Sequence, residues 1–115
     1  MPRSNENVAR GMPFTATFTT FSSGNAPIAP DSAPTISHLH RNGVAATIAS
    51  STITQLQDLT PANILGYYLL SVPTSTLAIN DQIDVRITAT IAGAVRFETF
   101  SCTVVDATTS MPYIA

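Results

Sequence analysis

A strict alternation of apolar and polar residues over Gln82–Ile91 restricts the fold of this chain more than any other segment. Its odd positions carry Ile, Val or Ala, and its even positions carry polar or charged side chains. Because successive side chains of a strand point to opposite faces, this period of two predicts a strand with one buried face. Ala92 and Gly93 then turn the chain, and residues 94–106 are predicted to return as the antiparallel partner.

Similar patterns recur along the chain, and turn residues separate them. Asn42 and Gly43 suit a two-residue type I′ turn, because both residues accept a positive φ. Residues 50–63 are less regular and indicate either a short helical turn or a loop. About seven strands with no repeat period predict an all-β sandwich or barrel. The other expected strands cover residues 12–22, 35–41, 44–50 and 64–72.

The returning strand changes the parity of its apolar residues. Val95 and Phe97 occupy odd positions, whereas Phe100 and Cys102 occupy even positions. A one-residue β-bulge near residues 98–99 would bring both sets to the buried face, so we predict a bulge there. Cys102 is the only cysteine, which excludes an internal disulfide, and its apolar neighbours indicate a buried, unreactive thiol.

Charge is scarce in this chain, which makes several classes of function unexpected. Only 10% of the residues are charged, the formal net charge is −2, and every cationic residue is an Arg. Without a basic stripe, binding of nucleic acid through its phosphates is not expected. No apolar run approaches the roughly 20 residues that span a bilayer, and residues 1–11 do not resemble a secretory signal. We therefore expect a chain that folds in a cytoplasm and has little charge to keep its copies apart.

The two ends of the chain differ from its middle. Residues 1–11 are polar and predict an N-terminal arm, and residues 12–106 form the predicted β-sandwich domain. Residues 107–115 predict a C-terminal tail. Disorder is the default for termini, but apolar side chains need cover, and a neighbouring subunit is one candidate for it. Three side chains of the tail are unusually apolar for a free end: Met111, Tyr113 and Ile114.

His38 and His40 form the one constellation that suggests metal chemistry. At positions i and i+2 of a strand, their imidazoles point to the same face and could share a metal ion. A zinc site needs a third or fourth ligand, and Asp31 is the only acidic residue within ten positions of the pair. We therefore expect neither a metal nor a cofactor. The pair is predicted on a solvent or interface face, in a row that begins at Ile36, with Leu39 in the core.

No arrangement of residues in the sequence indicates an enzyme. No serine lies in a G-x-S-x-G turn, and the glycine-rich phosphate motifs are missing. Asp81 and Asp84 could form a carboxylate pair, but we interpret them as solvated loop and strand charges, with Asp81 capping a turn. If the last two strands pair about their turn, Arg86 could meet Glu98 or Asp84 across the ladder. Such a contact would be a weak solvated pair or a rim contact at a subunit interface.

Two stretches of the sequence carry a resemblance to a known class of domain. They are APTISHLHRNGVAATI, residues 33–48, and GYYLLSVPTSTLAINDQIDVRITATIAGAVRFETFSCTVV, residues 66–105. Over residues 12–106 the chain resembles the immunoglobulin-like β-sandwich domains of tailed-bacteriophage structural proteins, although it has no Trp and no stapling Cys pair. The resemblance implies an immunoglobulin-like antiparallel β-sandwich in a structural setting, and it transfers no catalytic residue. The matching features are the Pro34-Thr35 strand entry, the Asn42-Gly43 hairpin, Gly66 and Tyr68 in a strand, Asp81 before the alternating strand, and Val95 after its turn.

These observations and the resemblance together predict a non-enzymatic virion protein, assembled in the host cytoplasm. We expect a decoration or cement protein that binds the capsid exterior. The expected partners are the major capsid protein or other virion proteins, and copies of the chain are expected to form a dimer or trimer. Three alternatives stay open: a tail, baseplate or fibre adaptor, a carbohydrate- or cell-surface-binding sandwich, and a metal-dependent enzyme built on the His pair. The candidate interface residues are Arg3, Arg10, Pro27, Pro30, His38, His40, Met111, Tyr113 and Ile114.

Overall fold

The computed structural model describes residues 6–106. This part of the chain folds into eight β-strands and contains no helix. β3 and β7 have the predicted bounds, and β6 and β8 differ from the predicted strands by one residue each. The strands are β1 (Glu6–Ala9), β2 (Phe14–Thr19), β3 (Thr35–Arg41), β4 (Val44–Ala45), β5 (Thr52–Gln57), β6 (Asn63–Val72), β7 (Gln82–Ile91) and β8 (Ala94–Val105).

The strands form two sheets that pack face to face. One sheet has five strands in the order β1-β8-β7-β3-β4, and the other has three strands in the order β2-β6-β5. Neighbouring strands are antiparallel except for β1 and β8, which are parallel. The strands β8-β7-β3 and β2-β6-β5 correspond to the G-F-C and B-E-D strands of an immunoglobulin-type sandwich. The predicted all-β, immunoglobulin-like sandwich is therefore confirmed.

A two-residue turn marks each end of the sandwich. Asn42 and Gly43 connect β3 to β4 at what we call the lower end, and Ala92 and Gly93 connect β7 to β8 at the upper end. All four residues have positive φ, from 50° at Ala92 to 81° at both glycines, as a type I′ turn requires. Such a φ strains an alanine. The Asp31 carboxylate supports this turn by accepting hydrogen bonds from the N–H groups of Ala92 and Gly93 at 3.1 and 2.9 Å.

The hydrophobic core lies between the two sheets. The inward-facing residues of β7 and of the lower half of β8 are buried there, and Phe14 and Leu70 cover them from the other sheet. Cys102 lies in this core. Burial, followed by the negative charges of Glu6 and Asp84, raises the pKa of its thiol to about 12. This environment agrees with the predicted buried and unreactive thiol.

Three segments differ from the prediction. Residues 52–57 form strand β5 rather than a helical turn or loop, because they pair with β6 and pack Ile53 on the core. β4 ends at Ala45 and does not continue to residue 50, because Ile48 leaves the sheet and is buried in the core. Glu6–Ala9 falls within the predicted N-terminal arm, yet it forms β1 and pairs with the lower end of β8. The predicted C-terminal tail, residues 107–115, lies outside the described residues.

The predicted bulge near residues 98–99 is wrong. β7 and β8 pair in one unbroken register along their whole shared length. Val95 and Phe97 therefore point away from the core, and their side chains are 55% and 59% exposed. The change of parity in the sequence comes from apolar residues on the outer side of the sheet and not from an extra residue in the strand.

Gly66 holds the upper part of β6 against the connection between β2 and β3. Its φ is 70°, and a Cβ atom there would lie 2.8 Å from the Ile28 carbonyl oxygen and 2.9 Å from the Thr20 carbonyl oxygen. The Thr20 N–H donates a hydrogen bond to the Gly66 carbonyl at 2.8 Å, and the Thr20 hydroxyl donates to the Ile28 carbonyl. This close approach requires glycine at position 66.

Candidate functional site

A group of exposed and half-buried side chains lies together on one side of the five-stranded sheet. We call this surface the outer face, and it consists of residues of β3, β7 and β8 that point away from the core. Most of its side chains carry hydroxyl or imidazole groups, with two charged residues and one apolar pair. They are His38, His40, Asp84, Arg86, Thr88, Thr90, Val95, Phe97, Thr99 and Ser101.

His38 and His40 lie on the outer face, as predicted, and Leu39 is buried in the core. The two imidazole rings stack, with their centroids 6.2 Å apart and their planes inclined by 11°. Residues 6–106 contain no group of three or more His, Cys, Asp or Glu side chains that could hold a metal ion. The pair offers an aromatic surface with ring nitrogens that can donate or accept hydrogen bonds.

A β-bulge at Ser37 orients this pair. The register between β3 and β7 shifts between Ile36 and His38, so Ile36 turns inward and packs on the core. The prediction that Ile36 begins the row of histidines is wrong for this reason. The Ser37 hydroxyl fixes the bulge, because it donates to the Arg86 carbonyl at 3.2 Å and accepts from the Thr88 hydroxyl at 2.6 Å.

Arg86 lies in the middle of the outer face, on β7, and Phe97 lies beside it on β8. The guanidinium carbon of Arg86 lies 4.9 Å from the centroid of the Phe97 ring, which is a cation–π distance. The proposed contact between Arg86 and Glu98 is not formed, because the unbroken register directs Glu98 to the opposite side of the sheet. Asp84 accepts a hydrogen bond from the Ser101 hydroxyl at 2.6 Å.

Val95 and Phe97 are the site residues that sequence reasoning missed. Reading the strand from its start assigned them to the core. The strict alternation of Phe100, Cys102 and Val104, extended backward, would have placed both on the outer side. It would also have placed Arg96 and Glu98 on the inner side, where the structure has them.

A groove of about 500 Å³ lies on the inner side of the upper end. Phe18 and Ile87 contribute apolar surface to it, and Arg96 and Glu98 of β8 line the same groove. Within residues 6–106, neither of these charged side chains forms a hydrogen bond or an ion pair. Two opposite charges are thus available to a molecule that approaches this edge of the sandwich.

Asp81 stabilises the fold through hydrogen bonds and is not the solvated loop charge that the sequence suggested. Its carboxylate is buried and accepts hydrogen bonds from Arg41 Nε at 2.7 Å, the Asn42 amide at 2.9 Å and the Ala78 N–H at 2.8 Å. The bonds from Ala78 and then Asn42 lower the pKa of Asp81, against the opposing effect of burial. Its predicted role as a turn cap is confirmed, and the carboxylate is already occupied by contacts within the fold.

The other predicted interface residues do not join the outer face. Pro27 and Pro30 lie at the upper end, in the connection between β2 and β3. Arg10 follows β1 at the lower end, where its N–H donates to the Val105 carbonyl at 2.9 Å. Four further predicted residues lie outside the described part of the chain: Arg3, Met111, Tyr113 and Ile114.

No model of a protein family matches the sequence, and no curated protein matches it. Across residues 6–106 there is no helix with the length and apolar character needed to cross a membrane. The candidate site is therefore defined by the geometry of the outer face.

Proposed function

We propose that this chain is a non-enzymatic structural protein that binds other proteins through its outer face. The observation that carries the proposal is the exposed pair Val95 and Phe97 within a strand surface of hydroxyl and imidazole groups. Aromatic residues and Arg are enriched in protein interfaces, and the residues that dominate binding energy are often of these types. Arg86, whose guanidinium lies over the Phe97 ring, places an Arg next to the exposed aromatic residue.

The outer face is also well ordered before any partner arrives. β7 is paired with β3 on one side and with β8 on the other, so two ladders fix the backbone beneath Arg86, and the ladder with β7 fixes the backbone beneath Phe97. The Ser37 hydroxyl bonds further restrict the bulge beside them. A preorganised surface loses little conformational entropy on binding, which favours affinity.

The more specific proposal is a capsid decoration protein of a tailed bacteriophage. The resemblance of the strand patterns to immunoglobulin-like domains of phage structural proteins supports it, as does the weakly charged composition. In this role the major capsid protein is the partner and the virion is the location. Because such a protein binds the assembled shell rather than free subunits, binding stabilises the shell by mass action.

Binding to undecorated capsid shells tests the proposal. Purified protein is added over a range of concentrations, and the bound fraction is measured by cosedimentation. We expect saturable binding and a higher disassembly temperature of the shell. Phe97→Ser should weaken binding by roughly tenfold or more, as is typical of an aromatic residue that dominates the binding energy. Leu65→Ser is the matched control, because Leu65 is 54% exposed on the other sheet and its loss should leave binding unchanged.

Each other outcome contradicts a stated part of the proposal. A lack of saturable binding contradicts the decoration function. Equal losses of shell binding in Phe97→Ser and Leu65→Ser contradict the choice of the outer face. Binding to isolated tails or baseplates but not to shells favours the adaptor alternative, and hits on a glycan array favour the carbohydrate-binding alternative.

A further inference from the structure

The upper part of β8 has an open edge. β1 covers residues 102–105 of β8, whereas residues 94–101 have β7 as their only neighbouring strand among the described residues. A two-residue hairpin turn is flanked by a hydrogen-bonded pair, here Ile91 and Ala94. The backbone N–H and C=O groups of the even residues of β8 therefore bond to β7. Those of its odd residues point toward the other edge, as the bond from the Arg10 N–H to the Val105 carbonyl shows.

The odd residues of this stretch consequently present backbone groups at this edge, and three of them lie above Ser101, which adjoins the end of β1. The N–H and C=O groups of Val95, Phe97 and Thr99 have no strand beside them within residues 6–106. Proteins commonly protect such edges with Lys, Pro, a bulge or inward-pointing charges. Residues 94–101 contain neither Lys nor Pro, and their register with β7 is unbroken; their inward-pointing charges, Arg96 and Glu98, are of opposite sign. Two of the three side chains are exposed and apolar, so this edge is suited to pairing with another strand.

We propose that this edge pairs with the same edge of a second copy of the chain. The two β8 strands run antiparallel about a two-fold axis at Phe97, and Val95 of each copy lies opposite Thr99 of the other. The backbone groups of Val95, Phe97 and Thr99 point toward the open edge, so this pairing gives each of these N–H and C=O groups a hydrogen-bond partner. The two five-stranded sheets become one continuous sheet, with the two Phe97 rings side by side on a joined outer face.

The charges of β8 select this register. With the axis at Phe97, Arg96 of each copy lies opposite Glu98 of the other on the groove side of the sheet, and the symmetry forms this contact twice. Opposite charges at facing positions stabilise paired strands, and like charges destabilise them. Moving the axis by one residue places Arg96 opposite Arg96 or Glu98 opposite Glu98. Both side chains lack an ion pair within residues 6–106 and are free to form these contacts.

Sedimentation velocity of the protein alone tests the dimer and does not depend on the proposed function. Over concentrations up to about 1 mM we expect a concentration-dependent dimer. Arg96→Glu and Glu98→Arg each create two like-charge contacts, and each should raise the dissociation constant roughly tenfold or more. An equimolar mixture of the two variants should restore the dimer, because each copy then faces the opposite charge. A contact within one chain could not produce this rescue.

Two further variants serve as controls. Thr54→Glu adds a charge on the exposed side of β5, and it should leave the dimer unchanged. Thr99→Pro removes an outward N–H while sparing the bonds to β7, so it should abolish the dimer and keep the circular dichroism spectrum of the folded protein. A monomer at every concentration overturns the proposal. So does a dimer that resists both charge variants, or a mixture that stays monomeric.

Discussion

Replacing Gly66 by Ala should destabilise the fold by about 3–4 kcal/mol. A φ of 70° costs an L-residue about 1–2 kcal/mol. The added Cβ would also lie 2.8–2.9 Å from oxygens of Ile28 and Thr20, so β6 and the connection between β2 and β3 must separate. Separation weakens the bonds of Thr20 to Gly66 and to Ile28, each contributing about 1 kcal/mol. The total is a large part of the roughly 5–15 kcal/mol by which a domain is stable.

Urea-induced unfolding followed by far-ultraviolet circular dichroism measures this loss. Gly93→Ala is the matched control, because its φ is 81° and nothing lies within 4 Å of the added Cβ. The free energy of unfolding of that variant should fall only by the cost of the positive φ, about 1–2 kcal/mol. Equal losses for the two variants would refute the argument that the close approach at Gly66 sets the cost.

Three other changes test separate contacts. Asp81→Asn should reduce acid sensitivity. A lowered folded pKa means that the carboxylate stabilises the fold above its unfolded pKa near 3.8 and loses this effect as the pH falls through the folded pKa. As the pH is lowered from about 5 to about 2, the urea midpoint should therefore fall more steeply for the parent protein than for Asp81→Asn. Equal slopes for the two proteins would contradict this. Ala92→Gly should raise stability by roughly 1 kcal/mol, since glycine adopts a φ of 50° without strain, and a lower urea midpoint would contradict it. Cys102, with its pKa raised to about 12, should resist a disulfide reagent until urea unfolds the protein, whereas rapid labelling of the folded protein would show an accessible thiol.

Local patterns predicted the elements whose information is local. β7 was predicted with its observed bounds, because one face of the strand meets the core and the alternation follows directly. The bounds of β3 were also predicted, although the bulge at Ser37 interrupts its alternation, because the Asn42-Gly43 turn marks its end. The Asn42-Gly43 turn was predicted for a similar reason, since both residues tolerate the required φ. These features depend on neighbours in sequence, and they gave the fold class.

The parts that were missed depend on distant segments. β1 exists because of its pairing with β8, which its own polar sequence does not indicate. β5 is an edge strand with a register shift between Gln55 and Gln57, so its alternation is broken. Asp81 is buried because Arg41 and Asn42 reach it from the β3 side, and no spacing in the sequence shows that.

The adjacency of β1 and β8 has a consequence for biosynthesis. These are the first and last strands of the described chain, and they lie side by side in one sheet. All the described strands, through β8, must therefore have left the ribosome before β1 and β8 can pair. Until β8 is synthesised, β7 lacks one of its two neighbouring strands. A nascent or truncated product would therefore expose apolar surface to chaperones and proteases.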